Sequence, residues 1–123
     1  MTTTRPHPKL SPARAIEEIE RGLRRLYGDR LYGVFLFGSR ARGDHRPDSD
    51  IDLAVVLHDE HIDRWNEMKA IRDIAFPLSV EAELIVHTWP VALRDWLEPE
   101  AAEDAHLLRG MRQDSVALGM DRP

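Results

Sequence analysis

Two aspartates, Asp50 and Asp52, stand at alternate positions where a polar stretch gives way to the apolar run Ile51 to Leu57. Side chains two apart on a strand point to the same face, so a strand here presents two carboxylates at its mouth. Just upstream, the apolar run 31–37 ends in Gly38-Ser39, followed by Arg40, Arg42 and a closing Gly43. Carboxylates hold hard divalent cations, whereas backbone N–H groups and guanidinium groups hold phosphate oxygens. One short segment therefore has the parts for binding a metal-bound nucleoside triphosphate.

Other motifs fit only fragments of it. Gly38 to Gly43 has the frame of a P-loop, but Asp44 and His45 stand where that loop needs Lys and Ser or Thr. Asp48, Asp50 and Asp52 begin like a calcium loop, yet Leu53 replaces its sharp-turn glycine and Asp59 its bidentate glutamate. Ordinary turn chemistry would explain Gly-Ser or Asp-Ser-Asp singly, without requiring both. The sequence His58-x-x-His61-x-Asp63 lacks the ligand set and spacing of a zinc site.

The flanking residues predict the elements that hold this segment in place. Ser11-Pro12 is a helix cap followed by a good first helical residue, Ile16, Ile19, Leu23 and Leu26 recur at helical spacing, and Gly28 stops the run. Strand one follows over 31–37, a single helical turn over 39–42, a polar loop over 43–49, and strand two over 50–57. A second amphipathic helix carries Ile62, Trp65, Met68, Ile71 and Ile74, ends near Pro77, and buries Trp65. Strand three is expected over 80–87, with Glu81 and Glu83 on one face. Pro90 and Pro99 start further helices over 91–97 and 100–113. Trp89 and Trp96 are candidates for base stacking or a partner interface.

Strands alternating with helices make the chain α/β, and the short link between strands one and two predicts a small mixed sheet. The 123 residues fit a single domain, expected over 10–118 behind a disordered tail over 1–9. Hydrophobic residues make up 42% of the chain, enough for a core, and the absence of cysteine excludes disulfides and thiol catalysis. The opening residues show no signal-peptide pattern and no run reaches membrane-span length, so a cytoplasmic location is expected. A formal charge of −5 argues against strong nucleic-acid binding by this chain alone.

Gly38-Ser39, Gly43 and Ser49-Asp50-Ile51-Asp52-Leu53 resemble the signature of the polymerase-beta-like nucleotidyltransferases, and more narrowly of the minimal nucleotidyltransferase (MNT) proteins. The match is dense over roughly 32–57. It implies three or four strands with helices packed on one side. It also implies transfer of a nucleoside monophosphate, AMP foremost, from ATP or another NTP to an acceptor hydroxyl with two Mg²⁺ ions. Asp50 and Asp52 would hold the metal together with a third carboxylate. The family's third acid precedes Leu-Val or Leu-Ile, which points to Glu83 rather than Glu81, although Glu replaces the usual Asp. Gly38, Ser39, Arg40, Arg42 and Ser49 would bind the nucleotide or support the acids.

The resemblance further implies a partner, a HEPN-domain toxin modified on a tyrosine, with this chain as antitoxin. Two alternatives are a non-catalytic neutralising partner of such a toxin and a stand-alone small-molecule nucleotidyltransferase. Oligomerisation is left open by the residues.

Overall fold

The structure, a computed structural model, describes residues 9–119. Of the tail expected over 1–9, residues 1–8 lie outside the described residues, as do 120–123.

The first helix, α1 (Pro12–Tyr27), begins where the sequence signals it, with the Ser11 hydroxyl accepting from Arg14 N–H at 3.1 Å. It ends at Gly28, whose φ of 54° suits a residue without a β-carbon. Its apolar stripe of Ala15, Ile19, Leu23 and Tyr27 is buried. Strand β1 (Leu31–Phe37), the single turn α2 (Ser39–Arg42) and strand β2 (Ile51–Leu57) follow. A long helix α3 (Arg64–Ala82) crosses to strand β3 (Val86–Ala92). Then come α4 (Leu93–Leu97), a 3₁₀ turn (Pro99–Ala101), α5 (Ala105–Gln113) and strand β4 (Val116–Leu118).

The four strands lie in the order β3-β2-β1-β4. β1 is antiparallel to both β2 and β4, whereas β2 and β3 are parallel, so the sheet is mixed as expected. β2 is central and apolar on both faces. Ile51, Leu53, Val55 and Leu57 pack with α1 and α3, while Ala54 and Val56 pack with Val91, Trp96, Leu108 and Met111. The larger helices thus share one face, but the expectation of helices on one side only needs correction, because α4 and α5 cover the other. The physical reason is that Ala54 and Val56 would otherwise leave apolar surface in water.

Several local expectations also change. α3 does not stop near Pro77 but runs on for another turn. A proline inside a helix costs about 3 kcal/mol. Ile71, Ala75 and Ala82 are buried along α3, with Ile74 and Leu78 partly so, and full burial of one large aliphatic side chain contributes about 1.5–3 kcal/mol. Leu78, partly buried, and Ala82, buried, lie beyond Pro77, and their packing helps to offset the break. Strand three consequently begins six residues later than the predicted 80–87. Trp65 is 70% exposed rather than core, and Trp96 is 4% exposed, its ring 4.7 Å from that of Phe35. Among the described residues, no helix is long and apolar enough to cross a membrane.

Candidate active site

Asp52 lies on the sheet face shared with Ala54 and Val56, near the start of β2. In the sheet register Asp52 lies opposite Phe37 on β1 and His87 on β3. Asp50 precedes β2, and the Ile51 N–H donates to the carbonyl of Ile85 at 2.9 Å, which ties the mouth of β2 to the approach of β3. His87 Nε2 lies 3.0 Å from Asp50 Oδ2, both side chains being about half exposed (47% and 44%). The structure therefore brings Asp50, Asp52 and His87 to one end of one sheet face.

Asp52 has its carboxyl pKa raised, first by burial and then by the negative charge of Asp50, while the charges of His87 and Arg42 act in the opposite direction. Asp52 is partly desolvated and feels the negative charge of Asp50, which itself pairs with His87. This fits a divalent metal, whose charge removes the repulsion. The donor set agrees, because carboxylate oxygens are the ligands that Mg²⁺ and Mn²⁺ prefer.

Gly38 links the phosphate side of the site to the acid side. Its φ of 78° and ψ of −157° lie in a region that only glycine adopts readily, and a β-carbon there would stand 2.5 Å from Asp52 Oδ2. The chain then winds into α2. The Ala41 and Arg42 N–H groups donate to the Gly38 carbonyl at 3.1 Å each. The first N–H groups of such a turn have no partner within it, so those of Ser39 and Arg40 are the ones a phosphate can use.

The remaining predicted residues hold the loop. Arg40 donates from Nε to the Ser49 carbonyl and from Nη2 to the Pro47 carbonyl, both at 3.0 Å. Its guanidinium is committed to loop 43–49, not to the phosphate region. Ser49 Oγ accepts from the Arg46 N–H at 2.8 Å, closing the same loop from within. Arg42 pairs with Asp44 at 3.2 Å and Asp114 at 3.7 Å, and its charge also reaches Asp52. Arg42, held by Asp44 and Asp114, is thus the arginine whose charge is felt at Asp52.

Glu83 is placed differently from the sequence expectation. It caps α3 in the left-handed conformation, with φ of 56°, and Glu81 lies in the last turn of that helix. Neither is on a strand face beside Asp52, because α3 continues past Pro77. The assignment of Glu83 as third carboxylate loses its stated basis, and among the described residues no three His, Asp or Glu side chains are drawn together closely enough to hold an ion. On β3 it is His87 that lies opposite Asp52. The signal for it was available: a polar residue opening the β-branched run Val86 to Ala92, as Asp52 opens its own.

A groove of about 240 Å³ lies between α3 and β3, lined by Met68, Phe76, Thr88, Trp89 and His87 among others. Of its lining residues, Phe76 and Trp89 are exposed, at 61% and 36%.

A mixed sheet with a Gly-Ser turn against Asp52 and, just before the same strand, Asp50 agrees with the fold of the polymerase-beta-like nucleotidyltransferases. The family model described as "Nucleotidyltransferase domain" matches residues 16–107, and the chain belongs to this family. Two relatives from Methanocaldococcus jannaschii are similar. "Putative protein adenylyltransferase MJ0604" is 40% identical over 47 residues, 38% of this chain and 47% of that protein. "Putative protein adenylyltransferase MJ0141" is 30% identical over 71 residues, 58% of this chain and 70% of that protein. The chain thus spans about half the length of the first relative and more of the second. A solved structure described as "Crystal structure of the toxin-antitoxin with AMP-PNP" is 25% identical with a TM-score of 0.52, covering 82% of this chain and 70% of that one.

Proposed function

We propose that the chain transfers a nucleoside monophosphate, AMP foremost, from an NTP to a hydroxyl group on a protein. The observation that carries this reading is the contact between Gly38 and Asp52. It sets a phosphate-binding turn directly against a carboxylate pair. In the reaction the acceptor hydroxyl gives up its proton to solvent, its oxygen bonds to the α-phosphorus, the bond from that phosphorus to the bridging oxygen breaks, and pyrophosphate leaves with the displaced electron pair.

Asp50 and Asp52 hold the metal in this reading. Mg²⁺, when bound there, neutralises the triphosphate and favours the ionised acceptor hydroxyl. Ser39 binds phosphate oxygens through its hydroxyl and backbone N–H, and Gly38 lets the backbone come close. Arg42 lies where its charge offsets the acids between turnovers. Arg40 and Ser49 fix loop 43–49, and so the direction from which Asp50 enters the site.

A protein acceptor is supported by the names of both relatives and by the exposed apolar residues beside the groove, since patches of this kind mark protein-interaction sites. The toxin-antitoxin structure with AMP-PNP supports ATP as donor and a toxin as partner. Within the MNT resemblance, that partner is a HEPN-domain toxin, the acceptor its tyrosine, and this chain the antitoxin. An added AMP would block such an active site by bulk and negative charge.

The test uses ATP labelled at the α-phosphate, Mg²⁺, the purified chain, and a host lysate or the co-encoded neighbouring protein. Label on one protein band with wild type, absent with Asp50→Asn, supports the reading. Label only on RNA or small molecules overturns the protein acceptor. A partner that binds tightly but never takes label favours neutralisation by contact alone.

A further inference from the structure

We infer that the hollow between β3 and α5 takes the base of the nucleotide, stacked on Trp89, and that Asp95 makes it select adenine. This deepens the nucleotidyl-transfer reading of Asp50 and Asp52 and rests on it.

Two walls lead away from the acids. On β3, His87 lies opposite Asp52 and Trp89 opposite Ala54, so Trp89 shares the acid face one alternate position further along. Two residues of strand span about 6.6 Å, a step comparable to the ribose that separates a base from its α-phosphate. The other wall is α5. Its C-cap, Asp114, pairs with Arg42 at 3.7 Å, which fixes that end of the helix beside the site. Leu108 and Met111, further back along α5, pack with Ala54 and Val91.

The walls enclose a hollow of about 230 Å³, lined by Trp89 and Val91 on β3, Leu107, Leu108 and Met111 on α5, and Asp95 in α4. Trp89 is 36% exposed and Leu107 41% exposed, two large apolar side chains left in water on opposite walls. A flat base between them covers apolar surface on both, and an indole stacks well on any base. The other two indoles are unsuited: Trp96 is buried against Phe35, and Trp65 lies on the outer side of α3 with Lys69 over its ring. Trp89 also borders the α3–β3 groove, so its ring stands between the base and the surface proposed for the acceptor.

The polar group supplies the selectivity. Asp95 is partly buried and has no hydrogen-bond or ion-pair partner among the described residues, whereas Asp104, also in the hollow, is held by Arg64 at 3.4 Å. An ionised carboxylate only accepts hydrogen bonds. Adenine offers it an exocyclic amino group, where guanine presents a carbonyl oxygen that the carboxylate repels. The hollow therefore favours ATP over GTP.

The experiment measures binding of ATP, GTP and inorganic tripolyphosphate, each with Mg²⁺, to the whole chain by calorimetry, and follows tryptophan fluorescence as ATP is added. ATP should quench the wild-type emission. Trp89→Phe should still bind ATP, because a ring remains to stack, but the quenching should disappear. Trp89→Ala should weaken ATP by on the order of ten-fold, the size of one lost stacking contact, and leave tripolyphosphate unchanged. Asp95→Asn should bring the ATP and GTP affinities together, since a carboxamide can also donate. Matched melting temperatures show that the variants fold.

Quenching that persists in Trp89→Phe would overturn the inference and leave the proposed function standing. So would a Trp89→Ala variant that binds ATP as wild type does, or that loses ATP and tripolyphosphate alike. An unchanged ATP-to-GTP ratio in Asp95→Asn would overturn the part given to that carboxylate. Wild type that binds neither nucleotide would overturn both the inference and the proposed function.

Discussion

Gly38 and Asp52 are in contact across the β1–β2 pair, with no room between them for one more carbon: a β-carbon on Gly38 would lie 2.5 Å from Asp52 Oδ2. Gly38→Ala therefore meets two obstacles, the clash and a backbone conformation that costs about 1–3 kcal/mol without glycine. We expect stability to fall by at least that amount in urea unfolding. Transfer should fall on the order of a hundred-fold, the usual effect of moving a reacting group by about 1 Å. A Gly38→Ala variant with unchanged label transfer would show that the contact does not set the site.

The carboxylate pair predicts opposite effects on activity and stability. Asp50→Asn or Asp52→Asn should lower transfer by on the order of a thousand-fold, because several kcal/mol of charge stabilisation depends on the metal they hold. For Asp52, folding raises the carboxyl pKa, so its charge at neutral pH opposes folding. Asp52→Asn should then have an equal or higher melting temperature without metal. Asp50→Asn should change little, since it exchanges one exposed partner of His87 for another. Thermal melts with a chelator present check both, and a clear fall for Asp52→Asn would contradict the electrostatic account.

Arg40 predicts an effect on the loop. Its two bonds to the Ser49 and Pro47 carbonyls anchor residues 43–49. Arg40→Ala should speed hydrogen exchange at Ser49 and Asp50 and lower transfer while leaving the core amides protected. Arg40→Lys should not rescue it, because one ammonium cannot reproduce a planar fork that serves two carbonyls. Equal exchange in wild type and Arg40→Ala would remove Arg40 from this role.

Tyr27 gives the pH dependence. Its hydroxyl donates to Glu67 Oε1 at 2.8 Å, and Arg30 donates to the other oxygen of that carboxylate at 2.5 Å. Burial first, then the Glu67 hydrogen bond, raises the Tyr27 pKa well above its ordinary value. A group that holds its proton more tightly when folded contributes stability below its unfolded pKa of about 10 and loses it as pH rises further. Tyr27→Phe should cost about 1 kcal/mol at neutral pH and flatten the alkaline fall. Urea melts from about pH 8 to 11 read both, the window being set by the tyrosine pKa. Parallel alkaline slopes in the two proteins would contradict the assignment.

The elements best legible in the sequence were those with strong local signals. Ser11-Pro12 and Gly28 bounded α1, and β1, α2 and β2 fell within a residue of their expected limits. Strand three was misplaced because proline was read as a stop. Beyond Pro77 the helix still sets Leu78 and Ala82 against the rest of the molecule, a tertiary gain with no local mark. The same misplacement put Glu83 on a strand, whereas it caps α3. Trp65 was read as core from its spacing, but it lies on the outer side of α3, with Lys69 over its ring.

Taken alone, the order of residues determined that a glycine-serine turn and two alternate aspartates would flank a pair of adjacent strands. That follows from the period of the β-strand and the turn preferences of glycine, which act over a few residues. Tertiary structure decided which side chain faces Asp52 across the sheet, because the register of β3 on β2 is set by where the core of α3 ends. It also decided that Arg40 donates to the Ser49 and Pro47 carbonyls while Arg42 pairs with Asp44 and Asp114, since a guanidinium goes to the acceptors that folding brings within its reach.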